Sequence, residues 1–320
     1  MGNQWRALRR RILTPSASAA LLEVRGFHKK SPAAQDLLET IGKTFLKGYA
    51  FAAEAHTVAE AEHNLESIPN RFRGFAYEGA AMGYAVRDGL PFGGSGHVTA
   101  FLTGRASVHD YMAYIGVGWA MARLPRFRWP DSTRTDAFMR WLVLDGYGFH
   151  QAYFKPQRYV HLQYQEAGFP WPAEGPSWYA NQAIDQGIGR ALWFVGGTDP
   201  DVVATLIAKY GEPRRADLYS GAGLAATYAG GADEQELNRF WERAGGYRPQ
   251  VAQGSAFGAE ARCRAGLMMP HTELATQVFC GLPAKKAAQL THDTRPEPDL
   301  EGELPAYEVW RQRTAAEFKS

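Results

Sequence analysis

The chain has 320 residues, 21% of them charged and 13% aromatic, with a formal net charge of +2. That balance excludes a broad basic surface for nucleic acid, and two cysteines, Cys263 and Cys280, exclude a disulfide framework and suit a reduced, cytoplasmic setting. Glycine is in excess, 34 of 320 or about 11% against a usual ~7%, without a Gly-X-Y period, so close backbone packing or many tight turns are expected.

Residues 1–30 read as a basic N-terminal segment. Trp5, Leu8, Ile12 and Leu13 share a helical face among Arg6, Arg9, Arg10 and Arg11. No apolar run follows, so a secretory signal is not expected. The pattern suits a helix docked on its own domain, and it leaves open a peripheral membrane contact. The longest apolar stretch, Tyr111–Leu124, is too short to span a bilayer.

From Ile41 onward a glycine beat recurs. Gly42, Gly79, Gly116, Gly146, Gly187, Gly221 and Gly254 each lead a run of small and apolar residues, as in Arg73–Arg87 (RGFAYEGAAMGYAVR), Asp217–Tyr228 and Arg248–Arg262. Their separations, 30 to 41 residues, match one helical hairpin. Between the beats, Thr57–Ile68, Asp131–Leu144, Asp199–Tyr210 and Glu234–Ala244 have amphipathic spacing and read as second helices. Thr198-Asp199-Pro200 and Pro130-Asp131-Ser132 look like helix starts. Tyr159–Gln165 is an isolated strand-like run. The expected fold is all-α, about seven helical-hairpin repeats with glycine-rich inner-helix starts, and an α/α toroid is favoured over an open solenoid because the inner helices are apolar. The repeat domain is expected over residues 31–290, with residues 291–320 as a C-terminal arm whose stretch Thr294–Leu304 is exposed.

Strong catalytic signatures are missing: there is no Walker A loop, no His-Glu-x-x-His and no Gly-x-Ser-x-Gly. Gly93-Gly94-Ser95-Gly96 reads as a turn. Cys263, His271 and Cys280 match no standard zinc spacing, and no metal or other cofactor is expected. In a toroid, the residue before each lead glycine would sit at the mouth of the inner ring. These are Ile41, Glu78, Ile115, Asp145, Gln186, Ser220 and Gln253, with Asp185 beside Gln186 and Arg190 one turn further on. They read either as orienting groups of a ligand cavity or as helix N-terminal caps. Asp145 and His150 form a candidate acid–base pair, with Glu78 and Asp185 as further candidate catalytic carboxylates. Tyr77, Trp119, Tyr147, Phe149, Trp193 and Tyr219 line a slot for a flat, unsaturated ligand or belong to the core.

Several runs together resemble a known family: Leu21–Phe27 (LLEVRGF), Ile41–Tyr49 (IGKTFLKGY), Ile68–Leu90 (IPNRFRGFAYEGAAMGYAVRDGL), VGWAMARLPRF from Val117 and DGYGFH from Asp145. They resemble the UnbL-like family, proteins of undefined chemistry that accompany enediyne polyketide synthases. The likeness extends from Leu21 to Leu282. It implies a role in turning a linear polyene from the synthase into the enediyne core, with other proteins of the cluster, membrane-bound ones included, as partners. It carries no catalytic residues across. Three roles are therefore weighed: a polyene-modifying enzyme, a polyene-binding carrier, and a repeat scaffold.

Overall fold

The computed structural model describes residues 3–91, 94–129, 136–171, 175–298 and 302–319. Among them are α-helices and short 3-10 or π turns, with no strand, so the fold is all-α. In chain order the helices are α1 (Asn3–Leu13), α2 (Leu22–Arg25), α3 (Pro32–Glu54), α4 (Val58–Glu66), α5 (Asn70–Gly89), α6 (His97–Leu102), α7 (Asp110–Met121), α8 (Arg140–Phe154), α9 (Ala180–Val195) and α10 (Pro200–Ala208). Then come α11 (Glu212–Ala229), α12 (Glu234–Ala244), α13 (Arg248–Arg264), α14 (Pro270–Cys280), α15 (Ala284–Asp293) and α16 (Ala306–Ala316).

Local chemistry sets several starts. Ser31 caps α3 ahead of Pro32, Thr57 caps α4, and Asp199 accepts from the backbone of Asp201 and Val202 ahead of Pro200. Asp233 and Glu236 close a capping box on α12. The expected helices at 57–68, 199–210 and 234–244 are found as α4, α10 and α12. The one expected at 131–144 is not a second helix. Its residues from Arg140 open α8 and run unbroken into the Asp145 motif, and the Pro130-Asp131-Ser132 start lies outside the described residues. The strand-like run at 159–165 begins inside a short π-helical turn at Gln157–His161.

The glycines explain how the long helices assemble. The lead glycines lie inside their helices, not at the starts. A Cβ on Gly116 would fall within 3.0 Å of the Glu78 carbonyl oxygen, and the same holds for Gly146 on Ile115, Gly187 on Asp145, Gly221 on Gln186 and Gly254 on Ser220. Each lead glycine thus receives the carbonyl of the residue just before the lead glycine of the preceding helix. Glycine two positions on faces the next helix instead: Gly118 on Val143, Gly148 on Ile184, Gly189 on Leu218, Gly223 on Val251. A mid-helix glycine costs about 1 kcal/mol relative to alanine; the backbone approach it permits gains packing and Cα–H···O contacts. In α3 the register slips by one turn. Gly79 meets Phe45 and Gly48 meets Ala76, so Leu46 holds the lead position, while Gly42 packs on Ala20.

Neighbours in this array run parallel, since contacts ascend together along both helices: Gly79 on Phe45, Gly83 on Tyr49, Arg87 on Ala52. The series α3, α5, α7, α8, α9, α11, α13 continues into α15, where Glu260 meets His292 at 2.9 Å. It coils on itself end to end. The His28 amide ahead of α3 bonds Val195 at the end of α9, Phe75 of α5 packs on Tyr228 of α11 at 5.2 Å, Arg264 of α13 bonds Asp110 of α7 at 3.0 Å, and Arg295 beyond α15 lies over Phe138 ahead of α8.

Both chain ends are docked on the array. In α16, Tyr307, Trp310 and Arg311 are buried, and Arg311 donates to Asp217 of α11 at 2.8 Å and to the Tyr179 hydroxyl at 3.0 Å. Within the expected arm, α16 is packed on the array by two buried aromatics and a paired guanidinium, while Glu297, Pro298, Gly302 and Glu303 are exposed. In α1, Arg6 and Arg9 turn inward and donate to the last carbonyls of α3 at Glu54 and Ala55, a favourable place for cations.

A candidate ligand site at the concave face of the array

A cavity of about 330 Å³ lies between the Pro15–Ala20 segment and helices α3, α5, α7, α8 and α9. Its depth is legible from exposure. At the mouth Arg123 is exposed and Pro15, Ala19, Leu46 and Phe154 are half-exposed, and Phe75, Glu78 and Arg190 are buried at the far end. The walls are aromatic. Trp119 packs on Phe45 at 4.3 Å and Phe149 at 5.1 Å, Phe149 meets Phe194 at 5.3 Å, and His150 meets Phe154 at 4.6 Å.

The lead-glycine register places these side chains. Three residues after the lead position come Met82, Trp119, Phe149 and Arg190; seven after come Arg123, Tyr153 and Phe194. One position before come Phe45 and Glu78. Since three, four and seven residues mark one face of a helix, the face carrying the cavity was available once the register was found. Phe45, Met82, Arg123, Tyr153, Phe154 and Phe194 were missed because the sequence candidates were the position before each glycine and a few residues beside the motifs, not the whole helix face.

Three charged groups meet at the deep end. Arg190 donates to Asp145 Oδ1 and lies 3.9 Å from Glu78 Oε1. It also sits 5.1 Å over the Phe149 ring. Two carboxyls sharing one buried guanidinium cannot both ionise cheaply. Asp145 holds the direct hydrogen bond, so Glu78 is the looser partner. Burial, with Asp145 adding to it and Arg190 opposing it, pushes the Glu78 carboxyl up to about 7. Burial raises Asp145 as well. Glu78 Oε1, Trp119 Nε1 and His150 Nδ1, all on cavity-lining residues, are buried without a hydrogen-bond partner. Buried polar atoms are normally paired; the Trp119 indole is near enough to Glu78 to oppose the rise of its carboxyl, and the three atoms keep hydrogen-bonding capacity for a ligand.

The Asp145/His150 pair does not form. Asp145 is committed to Arg190, and His150 faces Trp119 and Phe154. Burial, with Arg123 and Lys155 adding to it, pulls the His150 imidazole down to about 3, so it is neutral near neutral pH. The group poised there is Glu78.

The remaining candidates lie elsewhere. Asp185 is clamped by Arg214 at 2.8 and 2.5 Å and by Gln165 at 3.2 Å, on the side of α9 away from the cavity. Gln186 accepts from Tyr307 at 3.1 Å, and Ser220 donates to Gln253 at 2.7 Å. Tyr77 donates to Glu66 and stacks on His109, while Tyr219 stacks on Tyr247. These residues bind helices to one another. Mid-helix placement also removes the capping reading: Glu78, Asp145, Gln186, Ser220 and Gln253 are all buried inside helices. Of the sequence candidates, Ile41, Glu78, Trp119, Phe149, His150 and Arg190 line the cavity, with Asp145 behind Arg190. Cys280 donates to the Ala252 carbonyl and His271 faces that of Tyr228; among the described residues no cluster of three such side chains could hold a metal.

Fold and site define an all-α coiled array enclosing an aromatic-walled cavity with a buried carboxyl–guanidinium cluster at its closed end. The chain belongs to the family of proteins of unknown function DUF1702, whose family model matches residues 4–318. No curated protein and no solved structure matches it.

Proposed function

We propose that this protein acts in enediyne natural-product biosynthesis, taking a linear polyene or early intermediate from the iterative polyketide synthase into the cavity and promoting its isomerisation or cyclisation by acid–base chemistry. The observation that carries this reading is the set of unpartnered polar atoms, Glu78 Oε1, Trp119 Nε1 and His150 Nδ1, in an aromatic cavity. At about 330 Å³ it falls at the lower end of small-molecule sites, roughly 300–1,000 Å³. The aromatic walls accept a flat conjugated chain, and Arg190 holds an oxygen at its head.

Glu78, near neutrality, is the proton carrier. In its neutral form it protonates one carbon of the conjugated system; the resulting carboxylate removes a proton from another. Protons and electrons balance, so this step is an isomerisation with no redox change. Dehydrogenation to alkynes requires a separate oxidising partner. Asp145 is a positioning residue that fixes Arg190.

The test is incubation of purified protein with polyene extracted from the synthase, alone and with the other proteins of the cluster, following quenching of tryptophan fluorescence and product by chromatography. Glu78→Gln should bind the polyene as wild type does and lose product formation by about 100-fold or more, in line with loss of a general acid–base. If wild type binds and no combination changes the polyene, the carrier reading replaces the enzyme reading; if nothing binds, both fall and a scaffold remains.

A further inference from the structure

α1 is amphipathic in the opposite sense to a helix docked by its apolar face. Trp5, Leu8 and Ile12, spaced three and four residues apart, are 51%, 44% and 68% exposed, while Arg6 and Arg9 turn inward to the carbonyls that end α3. A helix held to its domain by hydrophobic burial would show the reverse. Its arginines Arg6 and Arg9 anchor it, and among the described residues nothing covers Trp5, Leu8 and Ile12.

The stripe adjoins the cavity mouth. α1 leads through Leu13 directly into the Pro15–Ala20 segment that forms one lip. Basic groups outnumber acids beside the mouth. Arg123 lines it, and Lys47 and Lys155 are exposed neighbours in sequence of the lip residues Leu46 and Phe154, with Arg11 exposed on α1. The acids closest in sequence are paired, Glu23 with Lys29, Glu39 with Lys43 and Glu54 with Arg10. Exposed Val24 extends the apolar surface on α2.

We propose that α1 and the basic lip of the cavity dock on the surface of an anionic lipid bilayer, with Trp5, Leu8 and Ile12 at headgroup depth and the cavity mouth facing the lipid. An indole beside aliphatic side chains suits that interface, and the ring of lysines and arginines supplies the attraction to anionic headgroups. No described helix is long and apolar enough to cross a membrane, so the contact is peripheral. It gives an apolar ligand a path between bilayer and cavity that avoids water. The inference uses the position of the mouth and holds whatever ligand the cavity takes.

Flotation of the full chain with phosphatidylcholine vesicles and with vesicles of equal parts phosphatidylcholine and phosphatidylglycerol tests it. Wild type should bind the anionic vesicles about tenfold or more tightly than the neutral ones. Trp5→Ser with Leu8→Ser and Ile12→Ser should weaken that binding about tenfold or more, with the melting temperature unchanged because all three side chains are exposed. Lys47→Glu with Lys155→Glu should reduce the preference for anionic lipid without altering the apolar stripe. Absence of binding to either vesicle, or binding that the serine variant leaves intact, overturns the proposal. So does a lipid-free, concentration-dependent dimer that the serine variant abolishes, which assigns the stripe to a second copy.

Discussion

Glu78→Gln should change the pH dependence of stability in a way that reports the buried carboxyl directly. The folded carboxyl titrates at about 7 against an ordinary 4.5. Below the ordinary value both states hold the proton and the carboxyl has no pH-dependent effect. As pH rises, the unfolded chain releases its proton first while the folded chain keeps it, so wild-type stability falls until the folded group ionises as well. A shift of about 2.5 units at about 1.4 kcal/mol each gives roughly 3 kcal/mol. The glutamine amide of the variant has no proton to lose, so the variant gains that amount on wild type between mildly acid and mildly alkaline pH, mostly below neutrality. Urea unfolding of both proteins at intervals from about pH 5 to about pH 8, with matching m-values, measures the difference, and titrations elsewhere in the fold cancel in it. Stability differences constant to within about 0.5 kcal/mol across that range would refute the argument that burial holds the Glu78 carboxyl near neutrality.

Gly187→Leu forces a side chain against the Asp145 carbonyl and should cost about 3 kcal/mol or more or abolish folding, whereas Gly246→Ala, with open space around it, should stay within about 0.5 kcal/mol in urea melts. The His150 imidazole should show no protonation in nitrogen NMR shifts from about pH 8 to about pH 5; with its value drawn down to about 3, the stability linked to it is full above its ordinary 6.5 and is lost as pH falls below that. Arg311→Met leaves Asp217 and Glu308 without their buried cation and should destabilise by about 3–5 kcal/mol, while Arg311→Met combined with Asp217→Leu should recover part of that loss.

The glycine beat is a property of the sequence alone, and so is the helical character of the segments around it. Gly116, Gly146, Gly187, Gly221 and Gly254 occupy equivalent positions because parallel helices at backbone contact tolerate no Cβ there. The helix start at Asp199 was equally legible, since capping is decided within four residues. Gly42 shows where sequence reading stops: α3 holds two glycines a turn and a half apart, and only its packing against Ala76 selects Gly48. Asp145 and His150 are close in sequence, yet Asp145 found its partner 45 residues away on α9, where coiling of the array sets Arg190 opposite it. Glu78 owes its poise near neutrality to burial away from water, with Asp145 adding to the rise and that same guanidinium opposing it. Periodicity along one chain tells which residues share a helix face. Which faces meet, and what charge lies across the gap, depends on how the parallel helices coil, and that was decided only in the tertiary structure.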